Sequence, residues 1–100
     1  MTVGVFRFTF EPDVSLGEAE MTLQLATFAV EGLFGAARLR LEFSYYVDAN
    51  HHAIFADGTT EVGAAVVRVF TALLLREFDD DAFRVQRVHS NPTPPLKVAA

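Results

Sequence analysis

Cysteine is absent from the 100 residues, which leaves no disulfide framework and no thiol chemistry. Positive charge is scarce: eight basic residues face thirteen acidic ones, for a net charge of −5. A balance of that sign disfavours nucleic acid as a partner. Long apolar runs are missing too. The longest window, residues 62–75, is too short for a bilayer and carries Arg68 in its middle, so no membrane partner is expected. No charged and then apolar leader pattern opens the chain, and a cytoplasmic location is the expectation. Phosphate-cradling glycine loops are lacking, because Gly32 and Gly35 follow a helical segment instead of opening one. Ser15, Ser44 and Ser90 sit in cap, strand and tail contexts with no histidine partner in view, so nucleophilic catalysis has no support.

What is present suits one packed core. Hydrophobic residues make up 51% of the chain and ten are Phe, enough for a single α+β domain over residues 1–89 with a Pro-rich tail over residues 90–100. Residues 3–10 alternate Phe6, Phe8 and Phe10 against Val5, Arg7 and Thr9, a strand with one buried face. Ser15 and Glu18 have capping-box spacing and open a helix. Its buried face carries Leu16, Ala19, Leu23, Ala26 and Val30, and Gly32 and Gly35 end it. From Arg38 to Asp48 the alternation continues without a slip, Leu39, Leu41, Phe43, Tyr45 and Val47 against Arg38, Arg40, Glu42, Ser44 and Tyr46. That pattern predicts a long strand. A turn at residues 48–51 and a returning strand at 53–56 complete a hairpin. Thr59 or Thr60 caps a second helix reaching about Phe78, and residues 82–88 form the last strand. The order is βαββαβ, which predicts a ferredoxin-like two-layer sandwich: an antiparallel sheet in the order 4-1-3-2 with two helices on one face.

Four regions then carry the functional expectations. In the second helix, Val62, Val66, Val69 and Leu73 make one apolar stripe, and Val67, Phe70, Leu74 and Phe78 make another. One buried face does not need both, so the second stripe predicts a protein partner or a homo-oligomer. The long strand, bearing Arg38, Arg40 and Glu42, is the other expected docking edge. Asp13, Asp48, His51, His52, Asp79, Asp80 and Asp81 fall on loops at one rim of the sheet. Oxygen and imidazole donors there suit a divalent metal, and through it an alternative reading as a metal-dependent enzyme of phosphate chemistry. Solvated acidic loops are the plainer account, and no cofactor is the expectation. Finally, Arg7, Arg38, Arg40 and Arg84 share the outward parity of the sheet with Tyr46, and Phe55 is ambiguous. Arginines among aromatics on a sheet can hold single-stranded nucleic acid, but the charge balance argues against it. The chain reads first as a small non-enzymatic interaction or assembly module.

Overall fold

The structure is a computed structural model that describes residues 4–88 together with Lys97–Val98. The element order is β1 (Val5–Phe10), α1 (Leu16–Phe34), α2 (Ala36–Glu42), β2 (Ser44–Asp48), β3 (Ala53–Asp57), α3 (Glu61–Glu77), β4 (Phe83–Val88) and β5 (Lys97–Val98). A single 3-10 turn, Ala49–His51, links β2 to β3. The strands form one antiparallel sheet in the order β4-β1-β3-β2-β5. Central β1 pairs on one side with β3, Phe8 opposite Ile54, and on the other with β4, Phe8 opposite Val85.

Side-chain parity decides which face of this sheet is covered. Phe8 and Phe10 of β1, with Ile54 and Ala56 of β3, point toward the helices and are buried. Against them lie Leu23, Ala26 and Val30 of α1 and Val62, Val66 and Phe70 of α3. The Phe8 and Phe70 rings are 4.7 Å apart, a spacing at which two aromatics gain from both packing and ring electrostatics. Both long helices start on hydroxyl caps. Ser15 Oγ accepts the Glu18 N–H at 3.2 Å, and Thr60 Oγ1 accepts the Gly63 N–H at 2.9 Å. Each bond satisfies a donor that the first helical turn leaves orphaned.

The expected α+β class and antiparallel sheet hold, but three helices replace two. Gly32 does not stop α1, which runs on to Phe34; Gly35 stops it, at φ 91°, a conformation open to glycine at little cost. The larger correction concerns the long strand. Arg38, Arg40 and Glu42 lie on helix α2, and only Ser44–Asp48 of the alternating stretch is extended. Ala, Arg, Leu and Glu are strong helix formers, and Arg38 and Glu42 stand at i and i+4, where their side chains meet. Leu39 turns inward at 9% exposure while Leu41 points out at 86%, so the two do not share a face as a strand requires. Of the expected tail, Lys97 and Val98 pair with β2 at Tyr45 and Ser44. The remaining residues of that tail, and His89, lie outside the described residues.

Candidate functional site

The expected docking edge is engaged within the chain itself. Arg38 Nε donates to Glu42 Oε2 at 2.8 Å, Arg38 also reaches Glu61 at 3.4 Å, and its guanidinium lies 5.1 Å from the Phe34 ring centroid. The bond from Arg38 holds the Glu42 carboxyl below the usual carboxylate range, and the same bond raises the Arg38 pKa. Thr60 Oγ1, besides capping α3, donates to the Glu42 carbonyl at 2.6 Å. These contacts fasten α2 to the start of α3. Of the three expected edge residues, Arg40 alone keeps an exposed side chain with no carboxylate partner among the described residues.

The second apolar stripe of α3 is core. Val67, Phe70 and Leu74 are buried, and Phe78 packs partly buried against the same cluster. Helix α3 meets the sheet on one side and α1 on the other, so both of its stripes are used inside the molecule. They offer no free face.

The rim residues do not converge. His51 Nδ1 contacts Asp48 Oδ2 at 2.8 Å, whereas His52, left-handed at φ 54°, turns its ring away and donates from Nε2 to the Val14 carbonyl at 2.7 Å. Asp13 and Asp79 border a separate acidic hollow beside Glu18 and Glu77. Asp80 and Asp81 stand in solvent. Among the described residues no three His, Asp or Glu side chains come together in a metal-holding group. His52 instead braces the β2–β3 hairpin against the loop after β1, an arrangement completed by the Phe10 N–H bonding to the His52 carbonyl at 3.0 Å.

Two surfaces remain. The first is the sheet face opposite the helices, where the ladder aligns Gln86, Arg7, Phe55 and Tyr46 as a row across four strands. Arg84 lies diagonally next to Arg7, on the residue paired with Thr9. Arg7, Arg84, Phe55, Thr9, Asp48 and His51 border a cleft of about 540 Å³. Arg7, Arg84 and Tyr46 lie on this face as their parity predicts, and Phe55, whose parity is ambiguous in the sequence, joins them; Arg38 and Arg40 leave it because α2 is helical.

The second surface was missed by sequence reasoning. On α1, Met21, Leu25 and Phe28 are 66%, 61% and 73% exposed, and Leu33 is 77% exposed. At 3.6 residues per turn the first three fall within roughly 60° of one another, diametrically opposite buried Leu23 and Val30. Exposed Ala29 connects them to Leu33 through i, i+4 steps. The signal was legible as an i, i+4, i+7 series of large apolar residues alongside the buried one. Phe28 also edges a cleft between α1, α2 and β2 that Glu31, Leu39, Arg40 and Tyr45 help to form. Behind it the Tyr45 hydroxyl donates to Glu20 Oε2 at 3.0 Å. Burial first, then that carboxylate, push the Tyr45 phenol above its ordinary range, so it stays a neutral donor pinning β2 to α1.

Compared with known proteins, the chain matches no family model, and no curated protein or solved structure shows a significant match to it.

Proposed function

We propose that this protein is a non-enzymatic assembly module that self-associates through the outer face of α1. The carrying observation is the exposed apolar row of Met21, Leu25 and Phe28, extended round the helix through Ala29 to Leu33, on a helix whose face opposite the first three is buried at Leu23 and Val30. A helix apolar on both sides is normally covered on both sides. The four large side chains, each at least 61% exposed, present on the order of 500 Å² of apolar surface. That is near the upper end of what monomers leave uncovered and is most of the ~800 Å² per partner of a standard interface. A second copy of this chain supplies a matching area of the same chemistry, which an isologous contact requires. Arg40 and the cleft beside Phe28 form the polar rim. We read the fold as an elaborated ferredoxin-like arrangement, supported by the β4-β1-β3-β2 order, with α2 and β5 as additions.

Light scattering on a size-exclusion column, at two protein concentrations, tests the proposal. The expected result is a mass of two or more chains that shifts to one chain in Leu25→Glu and Phe28→Glu. Both sites are exposed, so thermal stability stays within about 0.5 kcal/mol. Loss of a central apolar anchor raises the dissociation constant at least about thirtyfold. A wild-type monomer at every concentration, or variants that keep the wild-type mass, would sink self-association through α1.

A further inference from the structure

The open sheet face carries an independent site. Arg7 sits on the central strand, flanked by Gln86 and Phe55, and one of its terminal N–H groups donates to the Gln86 side chain. Its Nε–H is buried and has no acceptor in the described structure. No carboxylate pairs with Arg7 or Arg84 among the described residues. The two acidic side chains on this face are committed elsewhere: Asp48 to His51 Nδ1, and Asp57 to the Thr59 N–H at 2.9 Å. So the cleft presents two adjacent cations with no carboxylate in ion-pair contact among the described residues, the Asp48 carboxylate at its border being engaged by His51, in a molecule that is acidic as a whole. A partly buried guanidinium gains from a matching anion because the water it has lost is not otherwise replaced.

Beside the cations stand two rings. Phe55 adjoins Arg7 across the ladder, and its centroid is 6.2 Å from that of Tyr46. A half-buried aromatic next to an arginine stacks planar ligands. We propose that this cleft binds a small planar anion, an aromatic ring bearing a carboxylate or a phosphate. The ring lies against Phe55, and the anionic group lies between Arg7 and Arg84. Gln86 is a positioning residue that holds the Arg7 guanidinium.

Amide chemical-shift titration of the full chain tests the site with five probes. Adenosine 5′-monophosphate and benzoate carry both features, adenosine and benzamide carry the ring alone, and inorganic phosphate carries the charge alone. The expected result is saturable binding of at least one anionic ring, with shifts centred on Arg7, Phe55 and Arg84. Its neutral counterpart and phosphate bind at least about tenfold more weakly. Whichever anionic ring saturates identifies the phosphate or the carboxylate as the recognised group. Arg84→Gln and Phe55→Leu each weaken binding about tenfold, and Arg84 is exposed at the sheet edge, so that variant folds as the parent does. The proposal is overturned if neither anionic ring saturates. Phosphate binding as tightly as the rings, or Arg84→Gln binding unchanged, overturns it equally.

Discussion

Gly63 stands where no side chain fits. A Cβ there would lie 2.1 Å from the Asp57 carbonyl oxygen and 3.0 Å from Thr60 Oγ1, the atom that both caps α3 and holds α2. Replacing it by alanine therefore pushes α3 off β3 and breaks two hydrogen bonds of Thr60 at once. Gly63→Ala is expected to lower stability by about 1–3 kcal/mol in urea denaturation. Gly32, inside α1 with nothing within 4 Å, gives the opposite sign: Gly32→Ala should gain roughly 0.5–1 kcal/mol. At this scale the sequence was a good guide to caps and a poor one to partners. Ser15 and Thr60 are recognisable because a capping hydroxyl is a local device, readable from its immediate neighbours. The Glu61 partner of Arg38, and the partners of Tyr45 and His52, lie on elements brought close only by the fold, and no local pattern names them.

Among the elements, β1, α1, the β2–β3 hairpin, α3 and β4 are all legible: β1, β2, α1 and α3 repeat their periods, and β3 is marked by the turn residues on either side of it. Helix α2 was not. Residues 38–42 alternate polar and apolar and fit a strand by parity, and they run on into Ser44–Asp48 in the same alternation, although intrinsic propensity opposes a strand there. The two apolar stripes of α3 were visible, but a stripe does not say what covers it. Neighbouring α1 covers one of them, so the surplus apolar surface belongs to α1 instead. Strand β5 could not be read from a Pro-rich stretch. Its two residues occupy the outer edge of β2, pairing with Ser44 and Tyr45. A chain truncated after Val88 should lose that pairing, and hydrogen exchange at whichever of the Ser44 and Tyr45 amides faces β5 should rise while those of β1 stay protected. Equal protection of that amide in both chains would mean that β5 does not shield this edge.

For the molecule as a whole, charge and apolar surface pull in opposite directions. Each copy carries a net charge of −5, and Glu18, Glu20 and Glu31 flank the exposed patch of α1. Two copies meeting there repel at long range and attract on contact. Raising monovalent salt from about 20 to about 200 mM shortens the screening length from roughly 20 to 7 Å. It should therefore tighten self-association several-fold in sedimentation equilibrium. Association that weakens with salt would indicate an interface held by paired charges, contrary to the α1 patch.

The place of β1 in the sheet has a consequence for biosynthesis. Among the described residues β1 precedes every other strand, yet it is flanked by β3 on one side and by the much later β4 on the other. Its register with β4 joins Val5 to Val88. A nascent chain leaving the ribosome thus exposes β1 with both edges bare, and its three phenylalanines gain a first neighbouring strand only when β3 emerges and a second only when β4 does. Pairing over such sequence separations is slow, and α1, apolar on both faces, waits beside it. Protection during that interval has to come from outside the chain, so yield in the cell should depend on holdase chaperones more steeply than the size of the folded molecule suggests.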